Sequence, residues 1–269
     1  MENCLTVDLE PWMCYYDTHR LDKRLDNNQL VGLTKRILKI LEKHGLRATF
    51  FVMGEVYNWY PSLIKEIAQA GHEIAFHTSA HAQTYDRDLL LRELRTGSNL
   101  LKRFKVRGFR AARMTLHPDA VKILRRNGFK YDSSLYAPLG RPFRIGGMVE
   151  VPISTYPLLK GRDRFAFPRN FFDALRNIEL PFGSGYFVGL LSPRLLNRLI
   201  ESFNKQDKSA VFFIHPWQLS EIPGLPTTIM EKVTKFPYRM RISKEKMESI
   251  LSEHYFTTIG DVIKEHGYL

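Results

Sequence analysis

Gly71-His72-Glu73-Ile74-Ala75-Phe76-His77-Thr78-Ser79-Ala80-His81 is the stretch from which the fold can be read. A helical apolar stripe before it (Leu63, Ile64, Ile67, Ala68) runs into Gly71, a helix stop. Glu73–Phe76 then reads as a short buried strand, and two imidazoles four positions apart follow it. Histidines at that spacing can hold one metal ion from one side. The chain has 9 histidines, so such a pair can arise by chance and gains meaning only with a further ligand. His72, ahead of the strand, reads as a structural histidine.

Outward from this stretch the alternation repeats. Residues 4–9 form a predicted buried strand closed by Asp8 and Glu10, carboxylates at i and i+2 that point to the same side. A buried carboxylate is costly unless a cation or donor offsets it; a solvated strand end is the alternative. Leu30, Leu33, Ile37, Leu38 and Leu41 make a helical stripe that stops at Gly45. Residues 48–53 are a second strand, and Pro61 starts the next helix. Beyond the histidines, Asp86 caps a long helix predicted to reach Phe104. Residues 108–111 are a strand, 117–127 a helix and 130–132 a strand. Further on come a helix over 193–204 and a β-rich run over 209–214 that ends at His215-Pro216-Trp217. A helix over 243–254, a strand over 255–257 and a helix capped by Thr258 close the chain. Strand and helix at steady spacing predict an α/β fold with a parallel layer or barrel. Residues 133–190, rich in proline and glycine, break the rhythm. They read as a loop-rich insertion over the face of a single domain spanning 1–269.

Composition narrows the partners. Forty basic against 28 acidic residues give a net charge of +12, which suits phosphate groups or anionic lipid. A merely basic surface is the plainer reading. No nucleic-acid motif or basic tail is visible, which argues against nucleic acid. Two cysteines, Cys4 and Cys14, are too few for a disulfide framework, and Cys4 sits in the first strand as a small core residue. With no leader-like segment and no apolar run of membrane-spanning length, the expected location is the cytoplasm. Phe165, Phe167, Phe171 and Phe172, interleaved with Arg162, Arg164 and Arg169, would suit peripheral contact with an anionic membrane or the core of the insertion.

The residues that carry chemistry fall at the ends of successive predicted strands: Asp8 and Glu10, His77 and His81, Arg110, Asp132 and His215. In parallel α/β folds the C-terminal strand ends converge on one face, where active sites are built. Two histidines and one carboxylate leave coordination positions open, as a catalytic Zn²⁺ site requires. An ion so held acidifies a water and polarises a carbonyl.

Leu5-Thr6-Val7-Asp8-Leu9-Glu10, Ala48-Thr49-Phe50-Phe51-Val52, Gly71-His72-Glu73-Ile74 and His77-Thr78-Ser79-Ala80-His81 together resemble the polysaccharide deacetylases, carbohydrate esterase family four. Phe109-Arg110-Ala111-Ala112, Val151-Pro152-Ile153-Ser154-Thr155, Gly183-Ser184-Gly185-Tyr186-Phe187 and Phe213-Ile214-His215-Pro216-Trp217 are similar to a branch found with bacterial exopolysaccharide synthesis. The resemblance implies a distorted, incomplete (β/α) barrel. It implies a divalent metal, Zn²⁺, on Glu10, His77 and His81. Asp8 would be the general base, held ionised and oriented by Arg110. His215 would be the general acid, steadied by Asp132. Main-chain N–H groups after Arg110 would help to stabilise the oxyanion. The chain departs from the family pattern in three places: the two opening acids are split by Leu9 and the second is Glu, Ala112 stands where a proline is expected, and the motif around Asp132 matches weakly.

Tyr186 either lines the sugar site or packs. Trp217 and Trp12 either stack on a sugar face or are buried, the commoner state of such rings. The function these readings imply is metal-dependent removal of an N-acetyl group from a sugar, free or on a lipid or nucleotide carrier. Hydrolysis of another C–N bond and a non-catalytic carbohydrate-binding protein are the alternatives.

Overall fold

The computed structural model describes residues 2–16, 21–84, 86–117, 119–159, 170–220 and 241–268. Its strands, in chain order, are β1 (Asn3–Leu9), β2 (Thr49–Val52), β3 (Glu73–Phe76), β4 (Gly108–Phe109), β5 (Tyr131–Asp132), β6 (Tyr136–Ala137), β7 (Phe143–Ile145), β8 (Met148–Glu150), β9 (Ile153–Ser154), β10 (Tyr156–Pro157), β11 (Glu179–Leu180), β12 (Val211–Ile214) and β13 (Phe256–Thr257). The main sheet runs β12-β1-β2-β3-β4-β5-β8-β7, with β13 attached to the start of β1. Its pairings are parallel except β7–β8. That hairpin turns at Gly146-Gly147, where φ is +54° and +83°, values that glycine adopts at little cost.

The strand period of two sorts side chains between two cores. Leu5, Val7 and Leu9 of β1 join Phe50, Val52, Phe76 and Phe109 on the outer face. There they meet the apolar stripes of the helices Gln29–Lys43, Pro61–Gln69 and Pro193–Asn204. Cys4 joins Phe51, Ala75, Val149 and Phe213 in a second, inner cluster, and Asp8, two steps on from Thr6, shares its parity.

One contact shows the curl of the sheet. β1 and β4 are separated by β2 and β3, which in a flat sheet would place them about 14 Å apart. Yet Arg110, directly after β4, reaches Asp8 at 2.7 Å. The sheet therefore bends around its inner cluster into the incomplete barrel that the family resemblance implies.

Three expectations change. The helix expected from Asp86 to Phe104 is two, Arg87–Thr96 and Ser98–Arg103, broken at Gly97. A Cβ there would lie 2.5 Å from the Phe76 ring, so the helix backbone rests directly on the sheet. The turn after Met53 forms a further helix, Gly54–Trp59, not foreseen. Residues 133–190 are more than a cover: β7 and β8 extend the main sheet, and Met148, Phe182 and Val188 belong to its outer core.

Among the described residues no helix is long and apolar enough to cross a membrane. Phe165, Phe167, Arg162, Arg164 and Arg169 lie outside the described residues. Phe171 packs edge-on against Tyr136 and Tyr186, whereas Phe172 is exposed.

Candidate active site and metal centre

β1 delivers Asp8 to the inside of the curled sheet, and a tight turn, in which the Glu10 N–H donates to the Asp8 carbonyl at 3.0 Å, swings the Glu10 carboxylate in beside it. Across from β1 stands Arg110, fully buried. Its Nη1 donates to Asp8 Oδ1 at 2.7 Å and Thr6 Oγ1 at 2.6 Å, its Nε to the Ser133 carbonyl at 2.8 Å and its Nη2 to Ser133 Oγ at 2.8 Å. The guanidinium lies 4.0 Å from the centre of the Phe51 ring. A buried cation needs this degree of pairing, and the result is a rigid fork that orients Asp8.

The histidine loop is held as tightly. Thr78 and His81 both take left-handed backbone angles, φ +58° and +57°, an uncommon conformation for residues with a side chain. The structure sustains it with hydrogen bonds. Gly54 and Glu55 N–H groups donate to the Thr78 and Ser79 carbonyls at 3.1 and 3.0 Å. The buried Glu93 carboxylate accepts from the Ser79 and Ala80 N–H groups at 2.6 and 2.8 Å. Gly54 is required by space as well, since a Cβ there would sit 2.3 Å from Ser79 Oγ.

These supports aim the rings. His77 Nδ1 lies 3.0 Å from the Arg110 carbonyl; a carbonyl only accepts, so the proton is on Nδ1 and Nε2 is turned to the site. That nitrogen is 3.6 Å from Glu10 Oε2 and 4.0 Å from Asp8 Oδ2. His81 Nε2 is 2.7 Å from Glu10 Oε2, and His215 Nε2 is 3.4 Å from Glu10 Oε1. The three imidazoles therefore converge on one carboxylate.

The electrostatics follow. Burial alone would push Glu10 up, but the facing imidazoles of His81 and His215 outweigh it and hold the carboxyl well below the usual range. For His77, burial opposes the charged ring, yet the carboxylates of Asp8 and Glu10 prevail and raise its pKa. Glu10 Oε2 is buried and accepts no hydrogen bond of acceptable geometry. A buried carboxylate oxygen faced by ring nitrogens rather than by well-placed donors is the condition a cation relieves. A Glu10 oxygen, a His81 ring nitrogen and the Cys14 sulfur lie within 4.8 Å of one another, and His77, braced by a backbone carbonyl, stands outside that group with Nε2 3.6 Å from Glu10 Oε2; these donor types suit a divalent ion.

Two sequence-derived roles change. Asp132 does not steady His215. It accepts from Ser134 Oγ at 2.7 Å and lies beside Glu150, its register partner on β8. Burial pushes this acid pair up, Asp132 to about 6. Asp132 and Glu150 brace the turn at Ser133, Ser134 and Leu135, whose Ser133 grips Arg110. His215 instead has Gln218: its N–H donates to Gln218 Oε1 at 2.9 Å, and Nδ1 lies 3.2 Å from the same oxygen. The oxyanion expectation is also reduced, because the Ala111 N–H donates to Ser134 Oγ at 2.8 Å.

The aromatic residues divide. Trp217 is buried, stacks on His215 with ring centres 4.5 Å apart, and donates from Nε1 to Glu10 Oε1 at 3.3 Å. Trp12 is buried in a cluster with Met13 and Trp217. Neither offers a free face to a sugar. Tyr186 is half-buried beside Gly185, where a Cβ would lie 2.8 Å from Gln218 Oε1 and 3.4 Å from His215 Nδ1. Gln218 and Glu93 were missed in the sequence. The His-Pro-Trp-Gln spacing has the form of a capping box, a usable signal for Gln218, whereas nothing local marks Glu93.

Comparison with known proteins bears on the fold and on part of the sequence. Residues 24–131 match the family model "polysaccharide deacetylase", and residues 137–264 match one described as a domain of unknown function, DUF3473. A peptidoglycan deacetylase of Helicobacter pylori is 27% identical over 67% of this chain and 70% of its own length. The peptidoglycan-N-acetylglucosamine deacetylase of Bacillus cereus is 35% identical over 24% of each chain. The match to that enzyme and to an uncharacterised Geobacillus stearothermophilus protein spans under a third of their lengths. Among solved structures, a Mycobacterium smegmatis protein assigned as a polysaccharide deacetylase superposes with a TM-score of 0.60 at 20% identity, over 98% of this chain and 90% of that one. A family-four pseudoenzyme from Bacillus anthracis shares the fold at a TM-score of 0.51 and 16% identity, over 97% of this chain and 65% of that one. Fold, motif order and family match point the same way: residues 24–131 match the polysaccharide deacetylase family model, and the chain shares the fold of the solved structures named here.

Proposed function

We propose that the protein is a metal-dependent hydrolase that removes the acetyl group from an N-acetylated sugar and releases acetate. The observation that supports this most is Glu10: one carboxylate, 4% exposed, with an oxygen lacking a well-placed donor, ringed by His77, His81 and His215, beside an Asp8 fixed by Arg110.

Glu10, His77 and His81 would hold the divalent ion, which when bound supplies Lewis acidity toward water and the acetamide oxygen. The other steps belong to side chains. Asp8, with Oδ1 tied to Arg110 and Oδ2 turned inward, takes the proton of the attacking water. His215, with Nδ1 facing Gln218 and one face covered by Trp217, presents Nε2 to the leaving nitrogen and gives it a proton. The C–N bond breaks, leaving acetate and a free amine. Arg110 and Asp132 act as positioning residues, and Tyr186 is the nearest candidate to line the sugar site.

The segments shared with the exopolysaccharide branch favour a precursor of such a polymer over a finished wall. The net charge of +12 suits a phosphate-bearing carrier, lipid or nucleotide, met at the inner membrane face. The test combines metal analysis with acetate release from N-acetylhexosamine conjugates. Stoichiometric metal with acetate release that falls on chelation and returns on reloading supports the reading. Sugar binding without acetate release, unaffected by Asp8→Asn, would make the protein a binding module instead.

A further inference from the structure

Glu10 is followed by a short 3-10 turn, Trp12–Tyr16, which places a second kind of donor beside the same carboxylate. The Cys14 side chain is buried. Its sulfur, a Glu10 carboxylate oxygen and a His81 ring nitrogen all lie within 4.8 Å of one another. The hydrogen-bond partner of the thiol is the Met53 thioether at 3.8 Å, a weak acceptor. Independently, Glu10 Oε2 is buried and lacks a hydrogen bond of acceptable geometry, and His77 Nε2 stands 3.6 Å from it.

We propose that Cys14 is a further metal ligand of this centre, a thiolate that joins Glu10, His77 and His81. The inference rests on the metal-centre reading above and deepens it. One carboxylate, two imidazoles and one thiolate are the donor types and number that Zn²⁺ accepts in tetrahedral sites. On binding, the S–H bond gives up its proton to solvent and the sulfur lone pair goes to the ion. Two consequences follow. Thiolate softness biases the centre toward Zn²⁺ and Co²⁺ over Mg²⁺ or Ca²⁺. A fourth protein donor also fills the position a catalytic site leaves for water, so the sulfur must be displaced, or the coordination must expand, before turnover.

The test uses the full chain, stripped by a chelator and reloaded with Co²⁺ or Zn²⁺ alone. A thiolate-to-cobalt charge-transfer band in the near ultraviolet, at one Co²⁺ per chain, is expected. Cys14→Ser should abolish that band and weaken Zn²⁺ binding by more than about 10-fold, the least expected even of an outer support, while Cys4→Ser should keep both. X-ray absorption on the Zn²⁺-loaded wild-type protein needs no variant and should show one sulfur at about 2.3 Å. One Co²⁺ per chain with no charge-transfer band, a band that survives Cys14→Ser, or a zinc spectrum with nitrogen and oxygen scatterers only would overturn the assignment while leaving the metal centre intact. A wild-type chain that binds neither ion would sink both readings.

Discussion

Two glutamates at opposite ends of one parallel sheet have opposite surroundings. At the N-terminal end, Glu73 of β3 is met by neutral donors: Thr49 Oγ1 at 2.7 Å, Tyr131 OH at 2.9 Å and the Gly260 N–H at 3.0 Å. At the C-terminal end, Glu10 has ring nitrogens around it and one oxygen with no well-placed donor. The first arrangement ties the last helix, Ile259–Glu265, to β2 and β3 and is complete in itself. The second is left incomplete, and a buried polar atom without a hydrogen-bond partner calls for an explanation, such as a bound ion. In barrel folds the N-terminal face serves stability and the C-terminal face serves chemistry; here one residue type displays both.

The comparison can be broken by substitution at either end. The largest expected effect is at the chemical end. Asp8→Asn should cut acetate release by about 10²–10⁴-fold, the range of general-base contributions, with metal content unchanged and some stability lost, because the buried Arg110 keeps an acceptor but loses its counter-charge. A rate within a few-fold of wild type would remove Asp8 from the mechanism. At the structural end Glu73→Ala should do the reverse. It strands three donors and should cost about 2–4 kcal/mol in denaturant unfolding, with activity per folded molecule retained. If acetate release falls more than stability does, the two ends are not separable.

Glu93→Gln tests the brace of the histidine loop. The amide keeps an acceptor for Ser79 and Ala80 but loses the charge, so metal affinity should fall about 10-fold, at the low end for an outer support, and an unchanged affinity would make Glu93 merely structural. The smallest effect concerns His72, whose Nδ1 accepts the Ala48 N–H at 3.2 Å, a bond possible only while that nitrogen is unprotonated. Burial, with Arg47 adding to it, lowers the His72 pKa to about 4. Between pH 6.5 and 4 the unfolded chain therefore binds the proton first, and stability is lost as pH falls through that window. After allowance for solvent screening the loss is about 1 kcal/mol. Unfolding curves of wild type and His72→Gln at pH 7 and 5 should differ in pH slope by that amount; parallel slopes would exclude it.

Legibility followed the range of the interaction. The strand Glu73–Phe76 stands where its sequence places it, the helix Pro193–Asn204 keeps its expected bounds, and Asp86 caps its helix by accepting at Oδ1 from the Leu89 N–H at 2.7 Å. Period and capping act within a few residues, so they survive in the linear order. The gathering of Asp8, Glu10, His77, His81, Arg110 and His215 at one mouth was also readable, because each lies at or beyond the C-terminal end of a strand and parallel strands share a direction. The break at Gly97 was not, since it depends on how closely Phe76 lies beneath. Nor was the pairing of Asp132 with Glu150, which needed the register of β8, or the covering of Trp217 by His215.

The order of amino acids by itself determined the alternation of strand and helix, the parity that sends Leu5, Val7 and Leu9 outward and Thr6 and Asp8 inward, and the collection of chemical side chains at one end of the strands. Tertiary structure alone decided which of them are satisfied. Arg110 meets Asp8 across 102 positions of chain because the sheet curls, and Trp217 meets Glu10 across 207 because β12 pairs beside β1. Local pattern fixes the direction in which a side chain leaves its strand, whereas the packing of the whole molecule fixes what it finds there.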